Sequence, residues 1–183
     1  MIKQVAFLDI ETKYLFDEVE KGRVDLLGLA VAGLAVNDNP VMFYEEEKVE
    51  DLFSALDNAD LIVGHNLLSF DYRVLNPYAS FDLPELYCHK TLDTLKEIES
   101  LIGRRISLED LARNNLGRSK SADPRRMPIW WREGRFDEVK SYCANDVEIV
   151  RDIYLHGRRH GRLTYTHKEG GILVGLKDVE VSW

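Results

Sequence analysis

Apolar residues recur along this chain in two rhythms, and the rhythms predict its elements. Residues 3 to 9 read as a first strand, since Val5, Ala6, Phe7 and Leu8 form an unbroken apolar run. Leu26 to Val36 reads as a second strand of small and aliphatic residues. Val41 to Tyr44 reads as a third, after the turn Asn37-Asp38-Asn39-Pro40. Two tight connections of this kind predict a sheet that begins antiparallel. Val49, Leu52, Phe53 and Leu56 then fall at helical spacing, and Leu61 to Gly64 reads as a buried strand. Phe70 to Leu75 begins a further helix, with Pro77 close behind. Leu92-Asp93-Thr94 closes a short strand that leads into a helix through about Ile102. Ser107 with Asp110 marks another helix start, and Gly117 stands at its C-cap position. Arg118 to Glu133 shows no clear period and is expected to be a loop. Phe136 to Tyr154 predicts a long amphipathic helix, and Leu163 to Trp183 alternates around Glu169-Gly170-Gly171 as a terminal hairpin. This order fits a three-layer α/β fold with a mixed sheet in one domain, residues 1–183.

Composition changes that picture little. With 183 residues, 45% hydrophobic and 31% charged, the chain has the balance of a globular protein with a proper core. No apolar stretch approaches a membrane span and no signal-peptide pattern opens the chain, so a cytoplasmic protein with no membrane partner is expected. Cys88 and Cys143 lack metal-type spacing and are expected to be free thiols. The net charge of −8 argues mildly against nucleic acid as a partner, because neutralising phosphates takes Lys and Arg. The uneven spread of that charge weakens the objection. Arg118, Lys120, Arg125, Arg126, Arg132 and Arg135 stand against Asp123 and Glu133, a local excess of +4, and Arg158, Arg159 and Arg162 form a second cluster.

The chemistry-bearing residues are carboxylates. Asp9 and Glu11 are two apart on a strand and share a face. Asp71 follows the buried strand that ends at Gly64. Tyr142 and Asp146 are four apart on a helix and also share a face. A charge at the end of a buried strand is costly unless it is paired or bound to metal. Carboxylates from two strands and a helix can converge on a pair of Mg²⁺ or Mn²⁺ ions, which take oxygen ligands and serve phosphodiester hydrolysis.

In order along the chain stand Asp9-x-Glu11-Thr12, Asn66-x-x-x-Phe70-Asp71 and Tyr142-x-x-x-Asp146. These match the three motifs of the DEDD superfamily of 3′-5′ exonucleases, and the chain resembles that family over roughly residues 3 to 155. The tyrosine identifies the subgroup as DEDDy; the histidine subgroup would carry His where this chain has Ser141. The resemblance implies a ribonuclease H-like fold, a mixed central sheet flanked by helices, here with the C-terminal hairpin of about residues 162–183 added. It implies two Mg²⁺ or Mn²⁺ ions, with Asp9, Glu11 and Asp146 on one and Asp9 and Asp71 on the other. Tyr142 would orient the attacking water, and nucleoside 5′-monophosphates would be released from single-stranded or 3′-ended DNA or RNA. A non-catalytic binding module of the same fold is the alternative, as is a structure-selective nuclease acting beside a helicase or polymerase.

Other residues carry weaker expectations. Asp93 reads as a helix N-cap in preference to a fifth ligand, and Asn66 as a turn former or hydrogen bonder. Lys13 and Arg73, each just after a motif, are candidates for phosphate contact. His65 adjoins the second motif and reads as structural, with substrate contact the alternative. Trp130 and Trp131 can equally stack on bases or anchor their loop.

Overall fold

The computed structural model describes residues 3–119 and 123–183; of the basic residues singled out above, Lys120 lies outside them. Five strands form the main sheet: β1 (Val5–Thr12), β2 (Leu29–Val36), β3 (Met42–Tyr44), β4 (Leu61–Gly64) and β5 (Thr91–Asp93), in spatial order β3-β2-β1-β4-β5. The first three strands pair antiparallel, whereas β4 lies parallel to β1, and β5 parallel to β4. The antiparallel start and the mixed sheet are as the turn pattern predicts. A separate hairpin of β6 (Arg162–Glu169) and β7 (Ile172–Glu180) follows at the C-terminus.

Helices cover both faces of the sheet, and the alternation along β1 divides the core between them. Ala6, Leu8 and Ile10 belong to one buried cluster with Leu52 and Leu56 of α1 (Val49–Asp57), Tyr72 and Leu75 of α2 (Asp71–Leu75), and Tyr87 of α3 (Leu83–Tyr87). Val5 and Phe7 point the other way. They join Ile98 of α4 (Thr94–Ile102), Leu111 of α5 (Leu108–Leu116), and Val147, Val150 and Ile153 of α7 (Phe136–His160). Leu163, Tyr165 and Val179 of the hairpin complete this second cluster. Asp9 and Glu11 therefore continue the face that buries Val5 and Phe7 under α7. They are the acidic end of an otherwise apolar stripe.

Three expectations are corrected. The segment from Arg118 to Glu133 is not all loop, because it contains a 3₁₀ turn at Pro124–Arg126 and the helix α6 (Met127–Arg132). Met127 is fully buried and anchors that helix beside Val139 and Tyr142. β1 runs on to Thr12, past the expected end at residue 9, so both carboxylates of the first motif lie inside the strand. α7 continues to His160, where Gly161 ends it in the left-handed conformation.

A close approach of helix to sheet sets the geometry of the centre. Gly33 of β2 stands opposite Asp9 in the antiparallel register. A Cβ built there would lie 2.9 Å from Cys143 Sγ and 3.1 Å from Val147 Cγ2 of α7. The missing side chain lets α7 lie close over β1 and β2, which brings Tyr142 and Asp146 to the acidic end of the stripe.

Candidate metal centre

Asp9, Glu11 and Asp146 each offer an oxygen, and these oxygens all lie within 4.8 Å of one another. Glu11 and Asp146 are buried and Asp9 is partly exposed. Three ionised carboxylates so placed repel by on the order of 3 kcal/mol per pair at an effective dielectric of about 20. Two oxygens on one ion lie no further apart than twice the bond length, about 4.2 Å for Mg²⁺ and about 5 Å for a longer-bonded cation. The spacing and the all-oxygen donor set fit a hard divalent cation after at most a small contraction. β1 shifts register between Glu11 and Thr12, a bulge of the kind that re-aims a strand's side chains.

Asp71 stands apart from this trio. β4 pairs with β1 only as far as Phe7 opposite Val63, so beyond that point the β1 edge is open. Asp71, first residue of α2, fills the gap, and the Ile10 backbone hydrogen-bonds its carboxyl next to Asp9. Burial pushes that carboxyl up to about 8, from an ordinary 3.8; the charge of Asp93 adds to the rise and the backbone hydrogen bonds oppose it. The folded, metal-free protein therefore keeps a proton that an unfolded chain releases near pH 4. Through this group stability falls as pH rises from about 4 to 8, and the loss is complete above 8. A cation taken up at Asp71 must displace that proton. Mg²⁺ affinity, followed by calorimetry, should rise about tenfold per pH unit from pH 6 toward 8 and then level off. A flat profile across that range would mean that the ion displaces no proton from Asp71.

Asp93 caps α4 as expected, and it also does more. One oxygen accepts from Leu95 N at 3.1 Å, Lys96 N at 3.3 Å and Asn66 N at 2.8 Å; the other accepts from Leu68 N at 3.1 Å. The loop leading to Asp71 is thus fastened to the end of β5. Asn66 takes a positive φ of 78° there, the turn-forming role expected of it. His65 Nδ1 lies 2.9 Å from Thr94 Oγ1.

A cavity of about 250 Å³ opens over the trio, lined also by Tyr142, Phe16, Phe70 and Arg125. Phe16 and Phe70 face each other with ring centres 5.8 Å apart. Arg125 and Phe16 carry no spacing signal, and only the fold brings them to the centre. Neither phosphate candidate is among the residues lining this cavity: Lys13, between Thr12 and Tyr14 which do line it, is ion-paired with Glu46, and exposed Arg73 lines a different cavity with Asp25 and Asp82. Much of the basic excess near α6 is engaged by acids. Arg118 holds Asp152 and Glu148, Arg132 holds Glu18, and Arg135 holds Glu138. The Arg126 and Arg135 guanidiniums lie 4.7 and 4.4 Å from the Trp130 ring centre, and Trp131 packs edgewise on Phe136. Both tryptophans also pack, partly buried, against the cluster of Met127, Val139 and Tyr142.

Cys143 lies beneath the trio. Burial, then the charges of Asp9, Glu11 and Asp146, hold its thiol well above the usual range. An aromatic disulfide reagent should modify exposed Cys88 in the native protein and reach Cys143 only after denaturation.

The model of the RNase H superfamily matches residues 6–158. The chain belongs to that superfamily. No curated protein matches it. The matched span runs from β1 into α7 and holds all four carboxylates of the three motifs. The mixed five-stranded sheet with flanking helices is the RNase H-like fold, and membership suggests a nuclease that binds nucleic acid. Asp9, Glu11 and Asp146 cluster as the acids of divalent-metal-binding nucleases of this superfamily do. No helix among the described residues is long and apolar enough to cross a membrane.

Proposed function

We propose that this chain is a two-metal 3′-5′ exonuclease of the DEDDy type. The observation that carries the reading is the acidic trio with Tyr142 one helical turn before Asp146, all opening into one cavity. Asp9, Glu11 and Asp146 would hold one ion and Asp9 with Asp71 the other. When bound, Mg²⁺ or Mn²⁺ supplies Lewis acidity at the phosphate and lowers the pKa of water. Tyr142, buried in the wall of the cavity, orients the attacking water by a hydrogen bond. Orientation suits a phenol, whose ordinary pKa near 10 makes it a poor base at neutral pH. Water adds to phosphorus, the bond to the 3′ oxygen of the preceding nucleotide breaks, and that oxygen takes up a proton. The product is a nucleoside 5′-monophosphate.

End-labelled DNA and RNA, linear and circular, incubated with Mg²⁺, Mn²⁺ or EDTA, test the proposal. Mononucleotides should accumulate from 3′-hydroxyl ends with either ion, EDTA should stop the reaction, and circles should survive. Cut circles, or full activity in chelator, would overturn it.

A further inference from the structure

In a nuclease with net charge −8, where Arg118, Arg132 and Arg135 near the centre are ion-paired, further cations are needed along the substrate strand. A second cavity, of about 360 Å³, lies in the seam between α5 and β6, and cations wall it. We infer that this cavity, through Arg104, Arg105, Arg113 and Lys168, binds backbone phosphates of the nucleic acid away from the cleaved bond. The inference rests on the nuclease reading above and extends it to the rest of the strand.

The walls are built before any ligand arrives. Asp110 Oδ2 accepts from Thr166 N at 2.8 Å, while its other oxygen holds Arg113 Nη2 at 2.6 Å. Asn115 exchanges two hydrogen bonds of 2.8 Å with the Thr164 backbone, clamping α5 to β6. Arg104 Nη1 donates to Lys168 O at 2.9 Å and lies 3.1 Å from His167 Nδ1. A guanidinium has five N–H donors, so Arg104 and Arg113 keep others for a ligand. Fixed guanidiniums recognise phosphate oxygens in pairs. Four cations face two acids in this cavity, Glu109 and Asp110, so a net positive charge remains even with Arg113 paired to Asp110.

Arg105 links the cavity to the centre. Its Nη2 donates to Asn66 Oδ1 at 3.1 Å, and Asn66 opens the loop that carries Asp71. A polyanion that leaves the acidic centre past Asn66 would come next to Arg105 and the cavity it lines. An acidic peptide has the right charge but no reason to lie beside the Asp71 loop, so the strand of the substrate is the better occupant.

The test is anisotropy of a labelled oligothymidylate in EDTA, titrated at several KCl concentrations, with cleavage assayed separately in Mg²⁺. Arg113→Gln with Lys168→Gln should weaken binding about tenfold and reduce the slope of log K against log salt by roughly 1.4, about 0.7 per lost contact. Arg113→Lys should keep the wild-type slope, and exposed Lys168→Glu alone should weaken binding with no change in thermal unfolding. If the wild type cuts and the double variant binds with unchanged affinity and slope, the cavity inference falls and the nuclease reading stands. If the wild type neither binds nor cuts, both fall. Capture of labelled polyglutamate through these residues in place of the oligonucleotide would overturn the inference in favour of an acidic protein partner.

Discussion

Asp9→Ala should lose cleavage by on the order of 10³-fold or more, because Asp9 is the proposed shared ligand of both ions. Removing one positioned electrostatic group already costs on the order of 10²- to 10³-fold in other enzymes, and here the ions' placement goes with it. Stability should move the opposite way. Without metal, the Asp9 charge repels Glu11 and Asp146 within the 4.8 Å cluster, and its removal relieves that repulsion. Thermal unfolding in EDTA should therefore occur at the same temperature or a few degrees higher, at roughly 2–4 °C per kcal/mol for a chain of this size. Added Mg²⁺ should raise the midpoint of the wild type and leave that of Asp9→Ala unmoved. Wild-type turnover in Asp9→Ala would mean that the trio is not the catalytic centre.

Tyr142→Phe should slow turnover by about 10²- to 10³-fold with little change in Mg²⁺ affinity. The ring packs beside Met127, Val139 and Cys143, and phenylalanine keeps that packing while losing the hydroxyl. Asp146→Asn, one turn further along α7, should weaken metal binding as well as turnover. Calorimetry and single-turnover rates separate the two cases. Undiminished turnover in Tyr142→Phe would make this tyrosine a core residue, and the assignment would rest on the carboxylates.

The elements that the chain spells out most clearly are those whose pattern repeats long enough to read. β4 matches its predicted bounds because four apolar residues are framed by Asp60 and His65. α5 is flanked by its own signals: Ser107 accepts from Asp110 N, and Gly117 takes φ 64° beyond its last turn. α6 and α3 are illegible for the opposite reason. Six and five residues span less than two helical turns, too few for the period to repeat, and each carries a proline in its first turn that reads locally as a break. The end of α7 is hidden by Gly157, which mid-helix counts as a breaker. The structure shows what it is for: a Cβ there would lie 2.6 Å from Trp183 Nε1.

The candidate centre divides along the same line. Spacing two on a strand and four on a helix put Asp9 with Glu11 and Tyr142 with Asp146, since such spacing is local geometry. That the two pairs meet depends on the Gly33 contact, which is tertiary. The separate seat of Asp71 on the open β1 edge, and the cationic cavity assembled from residues 104–113 and 166–168, depend on contacts between distant segments and leave no periodic trace.

Anomalous diffraction from crystals soaked in Mn²⁺ with a nucleoside 5′-monophosphate tests the central claim most directly. The account predicts two manganese peaks, one bound by Asp9, Glu11 and Asp146 and one by Asp9 and Asp71. No anomalous peak at those carboxylates under saturating Mn²⁺ would contradict it.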